Sequence, residues 1–225
     1  MPDYGLLVFD WDGTLVDSIA RIVESMRVAA DECMLPQLDE TTIRGIIGLG
    51  LPEAIRSLYP DFEDEARVAI FRRVYSEHYL SLEVVPSPLF DGVRESLLEF
   101  RSRGYRLAVA TGKSRRGLER VLSGYGWQEF FDVTRCADET ASKPDPRMLH
   151  EILVHCGMPA GRALMVGDSP FDLQMAHNAG MTAVAVGYGA QPLAVLRGYR
   201  PHLAIDSFGD LARWLDGERG QQEEE

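Results

Sequence analysis

Gly5-Leu6-Leu7-Val8-Phe9-Asp10-Trp11-Asp12-Gly13-Thr14-Leu15 joins an unbroken apolar run to two acids and a Gly-Thr turn. A run that is apolar at every position reads as a strand buried on both faces, the habit of parallel sheets. Its two acids are two residues apart on extended chain, so they point the same way and repel unless a cation or a shared proton intervenes. Crowded acids at a strand end add nothing to packing, whereas a Gly-Thr turn lets backbone come close to a ligand. The stretch therefore reads as a site at the end of a central strand.

Two more apolar runs repeat the pattern. Leu107 to Ala110 ends at Thr111, and Ala163 to Val166 ends at Gly167-Asp168. Ligands of open parallel sheets bind outside the carboxyl ends of the strands, so these polar groups are expected to share one crevice. Helical periodicity marks Gly92 to Arg103 and Pro146 to Cys156 before those two strands, and Ser114 to Tyr125 and Pro170 to Ala179 after them. Further strands are expected over Thr182 to Val186 and His202 to Ile205, with a closing helix over Phe208 to Leu215. This alternation predicts an α/β fold, a three-layer core around a parallel sheet.

Residues 17–89 break the alternation. They read as successive helices, Ser18 to Met34, Asp39 to Ile46, Pro52 to Leu58 and Glu63 to Leu82, interrupted by Pro36, Gly48-Leu49-Gly50 and Tyr59-Pro60. The expected organisation is a core of residues 1–16 and 90–225 with a helical domain, 17–89, inserted directly after the acidic pair. Such an insertion, rejoining the core through Val85-Pro86-Ser87-Pro88, could work as a movable lid.

With 225 residues, 45% of them hydrophobic, the chain can bury one core and a smaller appended one. Its formal net charge of −12 argues against a nucleic-acid backbone or an anionic membrane as partner. Cys33, Cys136 and Cys156 form an odd set without short spacings, which suits a reducing compartment, and no stretch approaches membrane-spanning length. The expected location is the cytoplasm; monomer and dimer are equally compatible with the sequence. Gly217 to Glu225 reads as a frayed polar terminus.

Gly167-Asp168-Ser169-Pro170-Phe171-Asp172 adds two acids at i, i+4 spacing, expected to share one face of a first helical turn. Four acids at one crevice, without clustered His or Cys, favour Mg²⁺, which keeps water or phosphate among its ligands. A small-molecule phosphate is then the natural substrate. Lys143, before Pro144, supplies a point charge for a phosphate oxygen, and Thr111 a hydroxyl beside the Gly112 amide. A carboxylate can itself attack phosphorus. Lys113, Arg115 and Arg116, at the start of a helix, suit the drawing in of an anionic substrate.

The order of these groups, Phe9-Asp10-Trp11-Asp12-Gly13-Thr14-Leu15-Val16-Asp17-Ser18, then Thr111, then Lys143-Pro144, then Gly167-Asp168 with Asp172, resembles the four motifs of the haloacid dehalogenase superfamily. The likeness is closest to its phosphoglycolate phosphatase-like members, whose helical cap follows the first motif. That resemblance implies a Rossmann-like core and an Mg²⁺-dependent phosphomonoester hydrolase, with Asp10 as nucleophile and Asp12 as general acid and base. It further implies that Thr111, Gly112 and Lys143 hold the phosphoryl group, and that Asp10, Asp12 through its backbone carbonyl, Asp168 and Asp172 serve the metal. Arg44 and Gly48, around the segment matching the cap region that faces the core, are candidate substrate contacts. Dehalogenases of the superfamily lack an acid at the position of Asp12, which favours phosphate release, since an alkoxide must be protonated as it leaves.

Pyrophosphatases and phosphomutases of the same superfamily are the nearest alternatives. A phosphoacceptor signalling module also gathers acids, a Thr and a Lys, but its acceptor lies between the acidic pair and the Thr. Ala110-Thr111-Gly112-Lys113-Ser114 ends like a nucleotide-binding P-loop, yet Leu107 stands where the first glycine is required.

Overall fold

The apolar runs become neighbours in a single parallel sheet. The computed structural model of the chain describes residues 4–220, with strands β1 (Leu6–Phe9), β2 (Arg106–Thr111), β3 (Val133–Cys136), β4 (Ala163–Gly167), β5 (Thr182–Val186) and β6 (Leu203–Ile205). Their order across the sheet is β3-β2-β1-β4-β5-β6, and every pairing is parallel. The chain fills one side of β1 first and then returns to β4 on the other, so the order reverses at β1 and β4, where a crevice opens at the carboxyl ends.

Alternate strand residues feed two different cores. Leu7, Phe9, Leu107, Val109, Leu164 and Val166 meet α5 (Val93–Ser102), α6 (Arg115–Tyr125) and α10 (Gly209–Gly220) on one face. The other face is built largely from alanines, among them Ala108, Ala110, Ala163, Ala183 and Ala185, under α7 (Arg147–Cys156), α8 (Pro170–Asn178) and the short α9 (Leu193–Leu196). Helices on both faces explain why Leu6 to Phe9 are all fully buried and why the run could not alternate.

β3 is the strand missed in sequence. It is an edge strand whose centre, Thr134-Arg135, is only half-buried, so Val133-Thr134-Arg135-Cys136 lacks the apolar continuity of its neighbours. α10 reaches Gly220, which corrects the expected fraying from Gly217; residues 221–225 of that polar terminus lie outside the described residues.

Between β1 and α5 the chain forms four helices, α1 (Ile19–Glu32), α2 (Glu40–Arg44), α3 (Leu51–Leu58) and α4 (Glu65–Leu82). They enclose a separate cluster containing Ile22, Met26, Ile43, Ile55, Phe71 and Tyr79. Asp64 accepts from the Ala66 and Arg67 amides and so starts α4 two residues later than the periodicity indicates. α2 likewise stops at Arg44, and Ile46 and Ile47 stay buried as part of a turn leading to Gly48.

Candidate active site

Trp11 explains how the two acids are presented. It is fully buried and meets Tyr125, Trp127 and Phe131 edge-on, with centroids 5.9, 6.4 and 6.3 Å away. With the intervening side chain anchored in the core, Asp10 and Asp12 face the crevice, where each meets a different lysine.

Asp10 is buried against Lys143, whose Nζ lies 2.6 Å from Asp10 Oδ1 and 2.6 Å from Asp172 Oδ1. Lys143 comes from the loop before α7, beside a cis Lys143-Pro144 peptide. Asp168 completes the group: its Oδ2 accepts from the Ala190 amide at 2.6 Å and its Oδ1 from the Thr14 hydroxyl at 3.4 Å. Oxygens of Asp10, Asp168 and Asp172 lie within 4.8 Å of one another. Asp172 Oδ2 accepts from the Ser169 amide at 3.1 Å and the Ser169 hydroxyl at 2.6 Å, closing a capping box at the start of α8. Asp168 precedes the Ser169 N-cap, so Asp168 and Asp172 meet across the helix entry; the expected shared helical face is corrected by that geometry.

Three buried carboxylates face one buried ammonium. Burial pushes the Asp10 carboxyl well above its ordinary value, with Asp172 and Asp168 adding to the rise and Lys143 opposing it. Asp168 is pushed up to about 7, by burial first and then by Asp172. Burial works against charge on Lys143, but Asp10 and Asp172 outweigh it and hold the ammonium well protonated. Asp10 Oδ2 is buried and has no hydrogen-bond partner among the described residues. An orphaned oxygen in an uncompensated cluster of hard ligands fits a divalent cation.

Asp12 stands apart from that cluster. Its carboxylate accepts from the Ser18 hydroxyl at 2.7 Å and pairs with Lys113 Nζ at 3.1 Å. Lys113 in turn reaches the Tyr79 hydroxyl at 3.4 Å and lies over the Tyr79 ring, 4.6 Å from its centroid. Burial opposes its charge, yet Asp12, followed by Tyr79 and Tyr75, keeps it protonated. The three basic residues read as one attracting patch thus separate: Lys113 serves Asp12, Arg115 is tied to Glu139 at 2.6 Å and to Thr134, and Arg116 remains exposed. Sequence spacing gave no sign of the Asp12 to Lys113 pair, nor of Ser18, Tyr79 or Ala190, because their positions depend on the fold.

Thr111 ends β2 with its Oγ1 accepting the Lys113 amide at 3.1 Å. A Cβ on Gly112 would stand 2.6 and 2.4 Å from the carbonyl oxygens of Gly48 and Leu49, so only glycine lets this segment rest there. Gly48, at φ 106°, presses against Ser169, and the Gly50 amide donates to Ser142 Oγ at 2.8 Å. Gly48-Leu49-Gly50 is therefore a seat on the core. Arg44 lies elsewhere than expected: it donates to the Gly189 carbonyl at 2.7 Å and the Ala190 carbonyl at 3.1 Å, and it does not line the cavity over the acids. That cavity, of about 770 Å³, runs from Asp10, Asp12, Thr111 and Gly112 into the helical cluster.

Residues 7–186 match the model of the haloacid dehalogenase-like hydrolases. The chain belongs to the haloacid dehalogenase-like hydrolase family. Among its relatives, "Probable phosphatase IndB" of Dickeya dadantii is 35% identical over 92% of this chain and 91% of its own, and a phosphoglycolate phosphatase of Mesorhizobium japonicum is 32% identical over 92% of each. A structure described as a predicted phosphoglycolate phosphatase from Haemophilus somnus superposes with a TM-score of 0.81 at 28% identity, covering 95% of this chain and 98% of that one. A Pseudomonas syringae hydrolase, at 22% identity and a TM-score of 0.86 over 94% and 98%, shares the fold. The haloacid dehalogenase-like assignment bears out the resemblance read in the four motifs.

Proposed function

We propose that the protein hydrolyses small phosphomonoesters through a phosphorylated Asp10, with Mg²⁺ as the working cation. The carrying observation is the division of labour between the acids: Asp10 presents an unpartnered buried oxygen, while Asp12 is held apart by Lys113 and Ser18. Phosphatases among the relatives support the same reading.

In this reaction one carboxylate oxygen of Asp10 attacks phosphorus as the bond to the ester oxygen breaks, the other being left for the cation, and Asp12, in its protonated form, gives its proton to the ester oxygen. Asp12 then takes a proton from water as the water attacks phosphorus, releasing inorganic phosphate and restoring Asp10. Thr111, the Gly112 amide and Lys143 hold the phosphoryl oxygens. Asp10, Asp168 and the Asp12 carbonyl would hold Mg²⁺, with Asp172 assisting. Bound there, Mg²⁺ would offset the negative charge of the carboxylates and of the phosphate.

Residues 17–89 are assigned as a cap that covers this site, supported by their separate apolar cluster and by the glycine seat over Gly112. A cytoplasmic setting accords with three free cysteines and with the lack, among the described residues, of any helix long and apolar enough to cross a membrane. Asp10→Asn keeps shape and removes the nucleophile. Phosphate release from p-nitrophenyl phosphate is expected to drop below detection in that variant, with the circular dichroism spectrum retained. Acid-quenched mass spectrometry should find a phosphoryl group on Asp10 of the parent protein and none in the variant; turnover by the variant, deamidation excluded, would overturn the assignment.

A further inference from the structure

The cavity above the two acids is large for a two-carbon acid. At about 770 Å³ it falls in the upper part of the roughly 300–1,000 Å³ range of pockets that enclose drug-sized molecules. It is continuous with the reacting residues, being lined by Asp10, Asp12, Thr111 and Gly112 at one end. Beyond them the walls are predominantly apolar, with Ile22 and Met26 from α1, Leu49 and Leu51 from the seat and α3, and Tyr75 and Tyr79 from α4. The two tyrosine rings stack at 6.0 Å and 25°. Burial holds the Tyr79 phenol up to about 12 and that of Tyr75 higher still, so both present neutral rings.

Cations in the same wall are mostly engaged. Lys113 is paired with Asp12, Arg73 with Glu77 at 2.8 Å and Arg120 with Glu83 at 3.5 Å. Arg72 and Arg116 are exposed, where solvent screens their charge. A carboxylate one carbon from the ester oxygen would sit beside the reacting acids, and Lys113, the cation at that place, is already paired with Asp12 and lies against Tyr79. Pulling Lys113 away would uncover the Asp12 charge in a nearly enclosed position, since the Asp12 side chain is 13% exposed.

We infer that the leaving group of the natural substrate is an uncharged, largely apolar body of aryl-alkyl size, seated against Tyr75 and Tyr79, and that phosphoglycolate is a poor substrate. The inference rests on the phosphatase reading and adds the class of alcohol released.

The test compares kcat/KM for phosphoglycolate, n-propyl phosphate and 2-phenylethyl phosphate, all esters of primary alcohols, so that leaving-group chemistry is held nearly constant. Burying a phenyl ring is expected to favour 2-phenylethyl over n-propyl phosphate by about 10- to 100-fold, with phosphoglycolate below both. The same ratio is then measured in Tyr75→Ala, where it should fall toward one, and in Tyr75→Phe, where it should persist. Partial misfolding lowers kcat/KM for both substrates alike, so the ratio reports the pocket of the folded fraction alone. Phosphoglycolate turned over as well as 2-phenylethyl phosphate, or a ratio unchanged in Tyr75→Ala, overturns the inference while leaving the phosphatase reading intact. Release of phosphate from none of these esters, nor from p-nitrophenyl phosphate, overturns the phosphatase reading and this inference with it.

Discussion

Asp10 and Asp12 would repel if both faced the same space without cations, and the protein answers with one lysine for each. Lys143 pairs with Asp10 in the deep site and Lys113 with Asp12 in the shallower one, so the two acids stand in different surroundings two residues apart. Trp11 is the residue on which that arrangement turns, because its ring, locked among Tyr125, Trp127 and Phe131, sets the direction of both neighbours. Trp11→Ala is expected to cost about 3–5 kcal/mol in urea unfolding, the range for truncating a fully buried aromatic side chain. Trp11→Phe should recover most of that loss, measured in the same assay.

Elements meet the site through backbone as well as side chains. The Gly189-Ala190 peptide accepts from Arg44 at its carbonyl and donates from its N–H to Asp168, so one peptide unit links the guanidinium that ends α2 with a carboxylate after β4. Hydrogen bonds at both ends of a peptide polarise it in the same sense. Arg44→Met is expected to weaken Mg²⁺ binding by about tenfold, the lower end of what losing an outer partner of a metal ligand costs, with calorimetric titration of Mg²⁺ as the measure. The glycine seat offers a second test at this scale. Gly112→Ala puts a methyl against the carbonyls of Gly48 and Leu49, which must lift away. Faster proteolysis within residues 17–89 and a fall in kcat/KM of at least about tenfold are expected; an unaltered cleavage rate would show that the segment does not depend on this contact.

For the molecule as a whole, the acidic cluster is expected to tie stability to pH and, on the proposed reading, to metal. Asp168 titrates near 7 in the fold against an ordinary 3.8, so between those values the folded protein binds a proton that the unfolded chain has lost. Asp10 is raised as well. Metal-free protein is therefore expected to lose stability, by a few kcal/mol, as pH rises from about 4 to about 7. Asp39 and Glu139, held low by the Thr42 backbone amide and by Arg115, have the opposite dependence but exert it at the acidic end of that window and below. If the cluster holds Mg²⁺ as proposed, Mg²⁺ at pH 8 should restore the loss, because it would bind the ionised carboxylates of the native state and the unfolded chain has no such cluster. Urea midpoints in EDTA and in Mg²⁺ from pH 5 to 8 check this; a metal-free midpoint that does not fall across the window would contradict it.

Much of this was legible in the chain. Continuous apolar runs marked β1, β2 and β4, because strands covered on both faces cannot alternate, and the acids, Thr111 and Lys143 announced themselves by their place after or between such runs. β3 escaped because an edge strand with a half-buried centre lacks that signature. The counter-charge of each acid was beyond sequence, since Lys143 and Lys113 reach Asp10 and Asp12 only through the placement of β1 between β2 and β4. So were the attachment of Arg44 to the Gly189-Ala190 loop and the apolar wall of the cavity, both made by helices folding back over the sheet. Residue chemistry and strand runs are local and can be read along the chain. Which groups face one another is decided by long-range packing, and that lies in the tertiary structure.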